Sequence, residues 1–185
     1  MHGLYVHVPL CRSKCRYCAF YSVARPEQQG AWLEALAREA ARHADADRRF
    51  DTLYVGGGTP SQLEPQSIER LVGLLEQSFT IEPSAERTIE VNPADATAET
   101  ARCWRQAGFD RVSVGVQSFD DAELRWLGRR HDAEQAARSL RLLREAGFDE
   151  LSMDLVQGLP DQSTEQRLRS VHEALAFEPE HLSCY

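Results

Sequence analysis

Three cysteines, Cys11, Cys15 and Cys18, fall within eight positions of one another in the run C-R-S-K-C-R-Y-C. At this C-x3-C-x2-C spacing three thiolates can converge, and soft thiolates prefer iron-sulfur clusters, zinc or copper to hard, oxygen-seeking ions. A structural zinc site wants a fourth protein ligand. His7 stands four residues before Cys11, although the alternation of its strand can aim it elsewhere. On a four-iron cluster the same three thiolates leave one iron without a protein ligand, the kind of open position that separates catalytic from structural metal sites. Arg12, Lys14 and Arg16 make the loop positive, which would offset the charge of thiolates. The cysteines number five in all, and a disulfide framework would leave one over. The close trio therefore reads as metal chemistry in a reducing compartment. Cys103, in a helix-like segment, and Cys184, in the final apolar stretch, read as small buried hydrophobes.

The other chemistry-bearing residues are punctuated by short apolar runs. Strand-like LYVHV (4–8) precedes the cysteines. DTLYVGGG (51–58) leads into Thr59; ERTIEVNP carries Glu90 and Asn92; DRVSVGVQSF ends in Gln117 and Ser118; DELSMDLVQGLP carries Asp154 and Gln157. Each run has Val, Leu or Ile in strand-like patterns, and between the runs lie amphipathic helical segments at 28–44, 65–79, 97–108, 133–147 and 164–177. The stretch 120–132 reads as irregular. Ala107-Gly108-Phe109-Asp110 and Ala146-Gly147-Phe148-Asp149 repeat one helix stop, in which glycine supplies a left-handed cap. Strand and helix alternating in this way predict an α/β fold with a parallel sheet covered by helices. The polar residues inside several strands leave complete burial of both faces unassured. All the unusual residues fall at carboxyl ends of strands, the edge where such sheets place their sites. GGGTP has neither the lysine-serine/threonine of a P-loop nor the G-x-G-x-x-G order of a dinucleotide fold, so both of those readings fail.

With 21 Lys plus Arg against 29 Asp plus Glu, the net charge is -8, and no basic block offers a dock for a phosphate backbone. A sequence-independent nucleic-acid binder is disfavoured. No apolar stretch is long enough to cross a bilayer, and MHGLYVHVPL lacks the basic region and cleavage site of a secretory signal. A cytoplasmic protein is expected. HLSCY begins a sixth strand with nothing after it to cover it, an aggregation liability that marks residues 1–185 as the front part of a longer protein.

The cysteine motif, with Tyr17 just before its last cysteine, resembles that of radical S-adenosylmethionine enzymes. The blocks LYVHVPLC-RSKC-RYC-AFYS, LYVGGGTPS, IEVNP, RVSVGVQSF, LGRRH and MDLVQGLP are similar to the oxygen-independent coproporphyrinogen III oxidase-like group, most of all to its heme chaperone members, from Leu4 to Tyr185. The resemblance implies a partial (β/α)6 barrel, truncated here in the sixth strand, as an incomplete core domain over 1–185 whose carboxyl-terminal partner domain is absent. It implies that Cys11, Cys15 and Cys18 hold a 4Fe-4S cluster whose fourth iron is chelated by S-adenosylmethionine, and that the reduced cluster splits that cofactor to a radical. The hard chemistry then belongs to cluster and cofactor, and the protein supplies placement and charge.

The same resemblance implies roles residue by residue. Tyr5 stacks near cluster and cofactor, and Tyr17 lends a backbone contact to the adenine. Gly57, Gly58 and Thr59 receive the methionine amino end, where glycine lets backbone come close. Glu90 meets the amino or ribose part, Gln117 and Asp154 the ribose hydroxyls, and Arg129 the methionine carboxylate through its guanidinium fork. Arg130 is the adjacent alternative. Asn92, Ser118, Gln157 and His131 are weaker candidates for the lining; His2, His43, His172 and His181 read as surface or packing histidines.

Where the oxidising relatives carry a further cysteine, C-x3-C-x2-C-x-C, this sequence has Phe20. That departure favours a heme chaperone, with heme as cargo, a membrane respiratory protein as recipient and a flavodoxin-like or ferredoxin-like electron donor. Such a protein would be cytoplasmic and able to associate peripherally with a membrane. The competing reading is the oxidative decarboxylation of coproporphyrinogen III.

Overall fold

A computed structural model describes residues 2–45 and 47–185. Six strands, β1 (Gly3–Val8), β2 (Arg49–Gly57), β3 (Thr80–Val91), β4 (Arg111–Gln117), β5 (Glu150–Leu155) and β6 (His181–Cys184), form one sheet in sequence order. Every neighbouring pair is parallel. The crossovers are α1 (Gln29–His43), α2 (Pro65–Ser78), α3 (Ala98–Gln106), then α4 (Asp121–Leu127) and α5 (Ala133–Glu145) together, and α6 (Thr164–Leu175). This is the expected parallel α/β architecture, an open (β/α)6 barrel. Among the described residues no helix is long and apolar enough to cross a membrane.

The period of two explains the polar residues inside the strands. In β4, Val112, Val114 and Val116 are fully buried against the helices, while Arg111, Ser113, Gly115 and Gln117 line a cavity on the other face. A strand with one apolar and one polar face is what a barrel with a wet interior requires. Outside the sheet, α2 buries Ile68, Leu71, Val72 and Leu75, the i, i+3, i+4, i+7 stripe of a helix lying on a sheet. Trp104 of α3, and Phe109 and Phe148 just past the ends of α3 and α5, are fully buried in the core. Truncating such an aromatic costs about 3–5 kcal/mol.

Helix starts are fixed by side chains accepting from free backbone amides: Thr97 for α3, Asp120 for α4, Asp132 for α5 and Ser163 for α6. Gly108 and Gly147 take φ values of 91° and 88°, as their repeated helix-stop motif predicts. The stretch 120–132 is less irregular than expected, since α4 occupies its first half. β3 also begins earlier than the sequence suggests, at Thr80, where a register shift between Phe50 and Thr52 of β2 accommodates the extra residues.

Candidate functional site

The cysteine loop leaves β1 and is closed on itself. Cys11 N donates to Val23 O (2.9 Å) and Val23 N to Pro9 O (2.7 Å). Lys14 Nζ donates to the carbonyls of Phe20 (3.1 Å) and Ser22 (3.4 Å), a cation satisfying loop carbonyls that have no strand partner. The turn after β2 is bolted to this loop: Gly58 N donates to Val8 O (2.7 Å), Thr59 N to Leu10 O (2.8 Å), and the Thr59 hydroxyl to Cys11 Sγ (3.4 Å). Cys11 is buried, Cys15 and Cys18 are half-buried, and all five cysteines are free thiols.

Cys11, Cys15 and Cys18 line one cavity of about 600 Å³ together with the carboxyl ends of β2 to β5. Gly57, Gly58, Thr59, Tyr17, Glu90, Gln117, Arg129 and Asp154 share that wall. Among the described residues no three His, Cys, Asp or Glu side chains are grouped so as to hold a single metal ion. A four-iron cluster makes a different demand, one thiolate on each of three irons. Three free thiols on one wall, with the Thr59 hydroxyl donating to one sulfur and Arg129 Nη1 lying 3.6 Å from another, fit such a group, because donors and cations stabilise thiolates. His7 has both ring nitrogens engaged, by the Tyr5 hydroxyl (2.8 Å) and by the carbonyl of Tyr21 (2.8 Å).

Glu90 organises the β2 turn. Its carboxylate accepts from Gly57 N (2.8 Å) and from the Tyr54 hydroxyl (2.9 Å). Burial raises its pKa, against the pull of those two hydrogen bonds. Tyr54 is in turn pushed up by burial and by the Glu90 charge. Gly57 has φ 112°, and a side chain there would strike the His7 ring at 2.5 Å, so only glycine fits this position. Asp154 is likewise raised by burial, offset by the Ser183 hydroxyl, His181 and the arginines Arg129 and Arg111.

Arg129 is held at both ends of its fork. Nη2 donates to Gly115 O (2.7 Å), and Nη1 reaches Tyr17 Oη (3.3 Å) as well as Cys15 Sγ. Burial pushes the Tyr17 phenol up to about 12, with Arg129 opposing. Gln117 adopts φ 71°, a left-handed conformation uncommon for a residue with a side chain and costly to hold. It lies at the register shift between β4 and β5, and its amide folds over Gly115, where a Cβ would come within 2.8 Å of Nε2. Arg130 points to a different partner, Asp95 Oδ1 at 2.8 Å.

The structure thus brings together every proposed ligand-contacting residue except Tyr5. Tyr5 is 56% exposed and stacks on Tyr54 at 6.0 Å, and of these two rings it is Tyr54 that lines the cavity. Of the weaker candidates, Asn92 and Gln157 line the cavity. Ser118 instead donates to buried Glu123, and His131 is buried with Nε2 on Val116 O (3.0 Å). Burial and the neighbouring Arg129 lower the His131 pKa to about 4. His181 is exposed, as expected, and also borders the cavity, at the start of β6 opposite Ser152. Two expectations need correction. Cys184 is exposed, because β6 is an edge strand. Cys103 is half-buried at the rim of the core. Sequence reasoning missed Tyr54, Gly115 and Asp95. Of these only Gly115 carried a signal, a lone glycine inside a strand, which marks close approach of another group.

Residues 5–174 match the Radical SAM superfamily. Heme chaperone HemW of Haemophilus influenzae is 36% identical over 191 residues, covering 99% of this chain and 50% of that protein. Oxygen-independent coproporphyrinogen III oxidase of Bradyrhizobium diazoefficiens is 35% identical over 188 residues, covering 99% of this chain and 42% of that protein. Among solved structures, coproporphyrinogen III oxidase (HemN) from Escherichia coli, described as a radical SAM enzyme, superposes with a TM-score of 0.92 at 33% identity, over 98% of this chain and 43% of that one. The chain spans about half the length of the curated relatives it matches.

Proposed function

This chain belongs to the Radical SAM superfamily, and from that premise we propose that it is the cluster-bearing half of a heme chaperone. In this reading Cys11, Cys15 and Cys18 hold a 4Fe-4S cluster, and the cavity beside them takes S-adenosylmethionine. The observation that supports it is the shared wall: three thiols and the strand-end groups of β2 to β5 face one space of about 600 Å³, well sized for a cofactor. When bound, cluster and cofactor supply one-electron cleavage of a carbon-sulfur bond.

The protein's own residues bind and orient. Backbone carbonyls of the β2 turn, whose amides are engaged by Glu90, Val8 and Leu10, offer acceptors to an amino group. Arg129, fixed by Gly115 O and Tyr17, presents its guanidinium beside Cys15, where it favours thiolate and can pair with a carboxylate. Gln117 and Asp154 supply an amide and a carboxylate for hydroxyl groups. Lys14 keeps the cysteine loop closed, which holds the thiols in place before any cluster arrives.

Heme is then the cargo, a membrane respiratory protein the recipient, and a flavodoxin-like or ferredoxin-like protein the electron donor. Phe20, 66% exposed and on the cavity wall, supports the chaperone reading, because it stands where the oxidising relatives carry a cysteine. The second reading, coproporphyrinogen III oxidation, draws its support from the similarity to the Bradyrhizobium and Escherichia coli oxidases. Full-length protein, reconstituted anaerobically and assayed in parallel for heme binding and for protoporphyrinogen IX formation, separates them. Stoichiometric heme binding without product is expected; multiple-turnover product formation makes the protein an oxidase.

A further inference from the structure

Asp95 is a buried carboxylate that none of the roles above uses. Its side chain is 6% exposed, in the 3-10 turn Pro93–Asp95 that follows β3. Ionised carboxylates are desolvated at high cost and persist inside a protein only where partners hold them. Here the partners come from three different loops. Arg130 Nη2 lies 2.8 Å from Oδ1, the Ser61 hydroxyl donates to Oδ2 at 2.9 Å, and Arg12 Nε lies 3.9 Å from Oδ1. Each partner neighbours a residue already placed at the site: Arg12 follows Cys11, Ser61 comes two positions after Thr59, and Arg130 follows Arg129. The Ser61 oxygen also accepts from Asn92 N (3.0 Å), which ties the hub to the end of β3.

We propose that Asp95 is a positioning residue that fixes the cysteine loop through Arg12 and, by engaging Arg130, leaves Arg129 as the guanidinium beside the thiols. The two arms differ in strength. The Arg130 pair is short and mostly shielded, with the arginine 26% exposed, so it is the stronger hold. The Arg12 contact is longer and 58% exposed on the arginine side, and water weakens it. Loss of Asp95 therefore acts chiefly on the arginine pair and more weakly on the cysteine loop. The inference deepens the proposed cofactor site and rests on that reading for its second readout alone.

Two measurements on the full-length protein test it. The first uses the apo-protein under anaerobic conditions, with iodoacetamide as probe and peptide mapping to follow Cys11, which is buried. Asp95→Asn and Arg12→Met should alkylate Cys11 about twofold faster than the parent, the smaller effect expected of the weaker arm, while Glu134→Gln, which breaks the exposed Arg138–Glu134 pair, should not. The second uses reconstituted protein and calorimetry with S-adenosylmethionine. Asp95→Asn and Arg130→Met should each weaken binding about fivefold, about 1 kcal/mol, at unchanged iron content, and Asp95→Glu should restore part of it. Parental alkylation rates in both Asp95→Asn and Arg12→Met, or parental affinity in both Asp95→Asn and Arg130→Met, would overturn the proposal. If the parent protein assembles no cluster, the functional reading fails and alkylation alone still decides whether Asp95 anchors the loop.

Discussion

Gln117→Ala and Gln117→Gly should separate two properties that the structure joins in one residue, a strained backbone and a side-chain amide in the cavity. The left-handed φ of 71° costs a residue with a β-carbon about 1–2 kcal/mol. Alanine keeps that strain; glycine removes it but returns about 0.4–1 kcal/mol through its greater freedom when unfolded. The glycine variant should therefore be the more stable of the two by about 0.8 kcal/mol, or about 2 °C in melting temperature for a chain of this length. Both lose the amide that lies over Gly115, so both should bind S-adenosylmethionine roughly three- to tenfold more weakly, the worth of one neutral hydrogen bond. Thermal melting of the apo-protein and calorimetry after anaerobic reconstitution give the two numbers. An alanine variant at least as stable as the glycine one would refute the strain argument. Parental affinity in both would remove Gln117 from the cofactor site.

Replacing Cys11, Cys15 or Cys18 by alanine should each abolish stable cluster assembly, measured as iron per chain, whereas Cys103→Ala should retain it; a variant of the trio that keeps its iron would break the ligand assignment. Arg129→Ala should weaken S-adenosylmethionine binding about tenfold or more, the loss of a charge-assisted contact, while iron content holds; a larger loss in Arg130→Ala would reverse the roles of the pair. The His131 pKa, lowered from 6.5 to about 4, keeps its imidazole neutral in the folded protein. The unfolded chain therefore takes up that proton first, and stability present above pH 6.5 is lost as pH falls toward 4, by roughly 3 kcal/mol in all. Melting curves of parent and His131→Gln apo-protein across that window should diverge accordingly, and parallel curves would contradict it.

The alternation of strands and helices and the convergence of strand ends were legible because both are local patterns. A period of two, a glycine stop and a polar residue after an apolar run each need only a few neighbours to recognise. The open (β/α)6 closure came instead from family resemblance. α4 was missed because seven residues with half-exposed Trp126 offer too little apolar periodicity, and its Asp120 cap reads equally as a loop residue. That exposed His181 also borders the cavity was not legible, because a four-residue edge strand shows one or two inward positions and no repeat from which to infer its face. The left-handed Gln117 had no local signal at all, since its conformation is imposed by the register shift against β5. Asp95 was invisible for the same reason, as its partners Arg12, Ser61 and Arg130 are brought to it only by the packed loops.

The central claim is that three cysteines hold a cluster with an open iron that S-adenosylmethionine engages. The most direct measurement is the electron paramagnetic resonance spectrum of full-length protein, reconstituted and reduced under strict anaerobiosis, before and after adding S-adenosylmethionine. The account predicts about four irons per chain and a spectrum that changes on addition of the cofactor. A bound zinc ion with no iron, or a cluster spectrum indifferent to saturating S-adenosylmethionine, would contradict it.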